Sequence, residues 1–118
     1  MIKENDVVKW MEEFRNAWVN KDKDRVLSLF SETKNYYERP FKSATTKEEI
    51  QSYWNDIDNL TDITLDYEIY AIENDVACIH WVNKYTYQEK RYHLDGVFMI
   101  KFDEFKNCIE FRQWWFME

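Results

Sequence analysis

The hydrophobic period of this chain changes near residue 61, and that change bounds what it can fold into. Before it, Val7, Met11, Phe14 and Trp18 recur at steps of four, three and four with Trp10 beside them, the apolar stripe of an amphipathic helix. After it, Ile63, Leu65, Tyr67 and Ile69 alternate with polar residues, as in a strand with one buried face. Helices written first and strands afterwards predict an α+β domain, its helices packed on one face of an antiparallel sheet.

The first helix should end near Asn20, after which Asp22 caps a short second helix with a stripe of Val26, Leu29 and Phe30. Thr46 and Glu49 form a capping box for a third, followed by Ile50, Tyr53, Trp54 and Ile57 at helical spacing. Between these two helices the segment from Asn35 to Pro40 should be extended, because Pro40 disfavours helix at Arg39. Asn74 and Asp75 turn the chain into a strand from Ala77 to Tyr87, Gln88 to Arg91 serve as a loop, and two more strands run from His93 to Trp115. This meander of four strands places Trp81 opposite Phe98 and Lys84 opposite Asp95. One glycine, one proline and no low-complexity run leave no linker, so residues 1–118 read as a single domain.

Charge and composition remove several function classes. A net charge of -7 repels nucleic-acid phosphates and anionic lipid headgroups. The N-terminal residues lack a signal-peptide apolar run, and no window approaches the roughly twenty apolar residues of a membrane span, so a cytoplasmic protein is expected. Cys78 and Cys108 fall on opposite faces of strands placed as non-neighbours, a poor geometry for a bridge. Aromatic residues are 19% of the chain, more than a small core needs and typical of pockets and interfaces.

Strand alternation sorts those rings. Ile79, Trp81, Asn83, Tyr85, Phe98 and Ile100 should face inward, and in the last strand Arg112, Trp114 and Phe116 are read as inward too, leaving Phe111, Gln113 and Trp115 outward. The outward set of Tyr70, Val82, Val97, Met99, Phe111 and Trp115 would then form an apolar patch large enough to predict a homodimer through the outer sheet face. Arg112, buried among rings, would need a partner. An internal pair with Glu38 or Glu110, or stacking on Trp114, is favoured over recognition of a ligand anion.

The order of elements, with AW at 17–18, YxxP at 37–40, HLDGVFMIKFD at 93–103 and FRQWW at 111–115, resembles the SnoaL-like branch of the nuclear transport factor 2-like superfamily. The resemblance implies a cone-shaped, cystatin-like α+β domain. In it, three N-terminal helices and a curved antiparallel sheet enclose one deep pocket, usually dimerised through the outer sheet face. Members include ketosteroid isomerase, scytalone dehydratase, limonene epoxide hydrolase, polyketide cyclases and non-catalytic binders. Laid against ketosteroid isomerase, this chain has Phe98 where the oxyanion-hole aspartate stands and Arg39 where the basic aspartate lies near a proline. Both proton-handling groups are absent at those places, so that chemistry cannot run by that route.

Other chemistry is thin. Asp95 reads as an outward cross-strand partner of Lys84, and His80 and His93 share that outward face. Two histidines and two cysteines scattered over several strands lack metal-ligand spacing, so neither metal nor cofactor is expected. Asn83, a buried amide between Trp81 and Tyr85, is the neutral group best placed to orient a ligand carbonyl. The expected pocket is lined by Trp18, Tyr37, Arg39, Trp54 and the inward strand residues already named. The expected ligand is a small, largely apolar molecule, with an anionic group allowed for. The alternatives are a cofactor-free isomerase, cyclase, dehydratase or hydrolase, and a dimerisation module with a ring-filled interior.

Overall fold

Each helix begins where its capping side chain stands. A computed structural model describes residues 1–118. Helix α1 (Glu4–Val19) opens with Lys3 N–H donating to Asp6 at 3.0 Å, and α2 (Lys23–Leu29) with Arg25 N–H donating to Asp22 at 3.2 Å. Before α3 (Lys47–Ser52) the Thr46 hydroxyl accepts from Glu49 N–H while Glu49 reaches back to Thr46 N–H, each at 3.2 Å. A 3₁₀ turn (Asn55–Asn59) follows, and its Ile57 is buried. No helix is long and apolar enough to cross a membrane.

The sheet has six strands: β1 (Asn35–Arg39), β2 (Lys42–Ala44), β3 (Thr61–Glu73), β4 (Val76–Tyr87), β5 (Lys90–Phe102) and β6 (Cys108–Met117), in the order β2-β1-β6-β5-β4-β3. The expected antiparallel meander is present, but the whole sheet is mixed. The extended segment around Tyr36 and Tyr37 docks as β1, parallel to β6, with Tyr36 beside Phe111 and Tyr37 beside Arg112. A segment this short gives no local sign of the strand it will join.

Two details of register depart from the sequence reading. Trp81 lies opposite Gly96, not Phe98, and Lys84 opposite His93, not Asp95. The cause is a two-residue turn in which Gln88 and Glu89 take φ of 50° and 67°, the primed geometry that hairpins prefer, without the Asn-Gly signature that announces it. A slip of two residues preserves faces, so Ile79, Trp81, Asn83, Phe98 and Ile100 are all buried on the inward side.

The last strand departs further. Phe102 pairs with Cys108, but Lys101 pairs with Glu110, so Ile109 is an extra residue on β6. A bulge of one residue turns every later side chain to the opposite face. Phe111 is therefore buried in the core, whereas Trp114 and Phe116 are 42% and 80% exposed on the outside. Gly96 fits the packing closely, since a Cβ there would lie 2.5 Å from the Trp81 ring and from the Trp114 carbonyl oxygen. Both cysteines are free.

The core lies between α1 and the inward sheet face, where rings meet largely edge to face. Phe14 packs on Phe98 at 5.7 Å and on Trp54 at 5.8 Å, and Phe30 on Phe111 at 5.0 Å.

Candidate functional site

Above that core the rings part around a cavity of about 390 Å³. The helical side contributes Phe14, Trp18, Tyr53, Trp54, Asp56 and Ile57, and β4 contributes Trp81, Asn83, Tyr85 and Tyr87. Tyr92, Leu94 and Phe98 come from β5, and Phe111, Gln113, Trp115 and Met117 from β6. Twelve of its 21 lining residues are aromatic. The structure thus brings together Trp18, Trp54, Trp81, Asn83, Tyr85 and Phe98 of the residues singled out from the sequence. Ile79 and Ile100 face inward but belong to the solid core beneath the cavity.

Five of the expected lining residues lie elsewhere. Tyr37, Arg39, Arg112, Trp114 and Phe116 do not line the cavity. The bulge at Ile109 puts Arg112, Trp114 and Phe116 outward, while on β1 Tyr37 lies under the Arg112 guanidinium and Arg39 is exposed. Arg112 Nε donates to Glu110 Oε2 at 3.0 Å, and its guanidinium lies 4.0 Å from the Tyr37 ring centroid. Of the partners considered for it, Glu110 is the one it takes, and it anchors no anion in the cavity. Phe111 and Trp115, expected on the dimer face, instead line the cavity. Asp95 pairs not with Lys84 but with His80, whose Nε2 is 2.8 Å away while its Nδ1 lies 3.1 Å from Glu68. Both ring nitrogens engaged by carboxylates hold His80 above its ordinary 6.5.

The residue that sequence reasoning passed over as a site group is Glu38. It shares the inward side of β1 with Tyr36, and β1 delivers both into the cavity beside Phe111 and Gln113 of β6. The Trp115 indole N–H donates to the Glu38 carbonyl at 2.9 Å, which fixes the strand end there. Burial is the dominant influence on the carboxyl and raises it from 4.5 to about 7. The hydrogen bond from the Tyr36 hydroxyl opposes that rise, but at 3.4 Å it is long and weak. Lys42 and Arg39 also oppose it, from exposed positions outside the cavity where solvent screens them. The available signal was the step of two from Tyr36 to Glu38 in an extended segment, which places both on one side; the register of β1 against β2 then shifts between Tyr37 and Arg39.

Three further polar groups line the wall. Asn83 is 5% exposed, and its Nδ2 donates to the Thr64 carbonyl at 2.8 Å, leaving its own carbonyl oxygen without a protein donor. The indole N–H groups of Trp54 and Trp81 are buried without a hydrogen-bond partner. Buried donors of this kind are uncommon and favour an acceptor atom on a bound molecule. Among the ionisable residues of the lining, Glu38 and Asp56 are acids and none is Arg, Lys or His.

A family model described as a SnoaL-like domain matches residues 11–106. The epoxide hydrolase/cyclase-like enzyme SalBIII, from pyran ring formation in polyether salinomycin, superposes with a TM-score of 0.83 at 14% identity, covering 98% of this chain and 95% of that one. AusH from Aspergillus nidulans superposes at 0.82 with 16% identity, over 98% of this chain and 87% of that one. A computationally designed 17-OHP binder does so at 0.76 with 13% identity, over 96% of each chain. No curated protein matches the sequence.

Proposed function

The chain belongs to the SnoaL-like domain family, and on that footing we propose that its cavity binds a small, largely apolar molecule, with Glu38 as the polar group that meets it. The carrying observation is an acid held near neutrality inside a wall of rings. Apolar cavities with a few convergent polar groups and one perturbed acid are where ligands and substrates sit. The Trp81 N–H would meet an acceptor oxygen on the ligand, the Trp54 N–H having the Tyr36 hydroxyl as a neighbour, and a space of about 390 Å³ favours this reading over a ring-filled dimerisation module. The domain works in the cytoplasm without a cofactor. It pairs with a second copy through the outward residues Tyr70, Val82, Val97 and Met99, joined by Trp114 in place of Phe111 and Trp115.

Catalysis is the second reading, and Glu38 favours it. A carboxyl that titrates near pH 7 exchanges protons readily in either direction, which suits a cofactor-free isomerase, cyclase, dehydratase or hydrolase. The test is a ligand screen by tryptophan fluorescence, since Trp18, Trp54, Trp81 and Trp115 all line the cavity, followed by turnover assays on each hit. Binding that Glu38→Ala abolishes supports the pocket. Hits that leave the cavity tryptophans undisturbed refute it, and turnover lost in Glu38→Gln with binding retained separates enzyme from binder.

A further inference from the structure

We infer that the cavity selects ligands bearing an organic cation, an ammonium or quaternary amine on an aromatic or aliphatic body, with Glu38 as counter-ion and the surrounding rings as its cage. The inference rests on the cavity being a ligand site and adds the charge class of what enters it.

Three observations carry it. The ionisable lining is one-sided, because Glu38 and Asp56 are acids and no Arg, Lys or His lines the cavity, Arg39 and Lys42 standing exposed outside it, so an anion inside would meet repulsion and no lining cation. The walls are the faces and edges of twelve rings, and a ring face attracts a cation within about 6 Å of its centroid, more strongly when both are desolvated. Two of those rings already hold a lysine ammonium, with Lys42 Nζ 5.5 Å from the Tyr53 centroid and Lys90 Nζ 5.3 Å from that of Tyr92. A buried carboxyl with no internal counter-charge is costly to ionise, and a ligand cation supplies the missing charge. The chain's net charge of -7 concentrates cations around the entrance as well.

An ion pair made inside the cavity gives a signed pH dependence. The groups facing Glu38 are Tyr36 and Arg39 on β1, Lys42 on β2, Tyr53 at the end of α3, Tyr85 on β4 and Gln113 on β6. Burial raises Tyr36, Tyr53 and Tyr85 above their ordinary 10, so these stay neutral while Glu38 ionises. A ligand cation therefore binds more tightly as pH rises through the Glu38 titration, whereas a neutral acceptor that takes the carboxyl proton binds more weakly.

The experiment titrates the whole protein with phenethylammonium, phenethyl alcohol and phenylpropionate, following tryptophan fluorescence at about pH 5.5 and about pH 8.5. Phenethylammonium should bind more tightly than the alcohol, and phenylpropionate least. Its affinity should rise about tenfold or more over that interval, as the ionised fraction of Glu38 grows. Glu38→Gln, shown by its melting temperature to be folded, should bring phenethylammonium down to the level of the alcohol and flatten its pH profile. If the alcohol binds as well as the ammonium, or ammonium affinity falls with pH, the cation inference is overturned and the pocket stands. Should none of the three perturb the cavity tryptophans at millimolar concentration, both readings fall.

Discussion

Replacing Glu38 with glutamine should stabilise the protein at alkaline pH and leave it unchanged at acidic pH. The carboxyl moves from 4.5 in the unfolded chain to about 7 in the fold, chiefly because it is withdrawn from water. A raised acid means that the folded state holds its proton more tightly. Stability contributed by Glu38 is thus complete below about pH 4.5 and is lost as pH rises through about 7, where the fold must carry a buried charge. At 1.36 kcal/mol for each tenfold change in the proton equilibrium, the loss is about 3 kcal/mol at full development, an upper figure for a side chain that is not wholly buried. Glutamine keeps the shape and an acceptor for the Tyr36 hydroxyl but cannot ionise, so it escapes that loss. For a domain of this length about 3 kcal/mol is on the order of 10 °C in Tm. Melting curves of the wild type and Glu38→Gln across about pH 5 to about pH 8.5 supply the assay. The difference between them removes His80 and every other group that titrates in both proteins. The difference should be near zero at the acid end and grow to several degrees in favour of glutamine. A constant difference, or one that favours the wild type at high pH, would show that Glu38 is solvated and ionised normally, and the site as described would be wrong.

Three other expectations follow from the packing and charge. Gly96→Ala drives a methyl into the Trp81 ring and the Trp114 carbonyl, so it should cost about 1–3 kcal/mol, read as a lower Tm with wild-type secondary structure by circular dichroism. Arg112→Ala removes a partly exposed pair with Glu110 and a contact with Tyr37, and should cost about 1 kcal/mol or less while leaving cavity ligands with unchanged affinity. A large loss of binding in that variant would return Arg112 to the site. His80 is held above 6.5 first by Asp95 and then by Glu68, so its contribution is complete below about pH 6.5 and disappears as pH rises through the elevated value. His80→Gln should therefore lower Tm more at about pH 6 than at about pH 9, and an equal loss at both would mean that the ring is not charged between those carboxylates.

The outer sheet face also differs from its expected form in a way that bears on assembly. Tyr70, itself the bulged residue of β3, is 62% exposed and its ring stacks on His80 at 5.4 Å. Val97 stands between His80 and Trp114 across neighbouring strands. The patch available to a second copy is thus apolar at Val82, Val97, Met99 and Trp114, with the Glu68, His80 and Asp95 cluster set among them. A self-complementary contact there would bury His80 and its two carboxylate partners along with the rings.

Where a feature depends on neighbours in the chain, the residues themselves determine it. The stripe from Val7 to Trp18, the Asp22 cap and the Thr46 and Glu49 box specify where three helices begin, because their hydrogen bonds close within a turn. The third ends at Ser52, however, and Tyr53, Trp54 and Ile57, expected on it, lie in its end and in the 3₁₀ turn that follows. Alternation from Ile63 onward likewise determines which residues of β3, β4 and β5 face inward. A side-chain period of two survives the tighter turn at Gln88 and Glu89, since that turn slips the register by two. The family resemblance, resting on the same pattern, was legible too. What only the tertiary structure decided is everything that hangs on a single-residue irregularity or a distant pairing. Ile109 bulges from β6, with no glycine or proline to mark it, and that one residue exchanges Arg112 and Trp114 for Phe111, Gln113 and Trp115 in the interior. The docking of β1 against β6, more than 70 residues away in sequence, carries Glu38 into the cavity while Arg39 beside it turns to solvent. The acid near neutrality exists because strands from opposite ends of the chain bury it, and burial of that kind is a property of the assembled sheet.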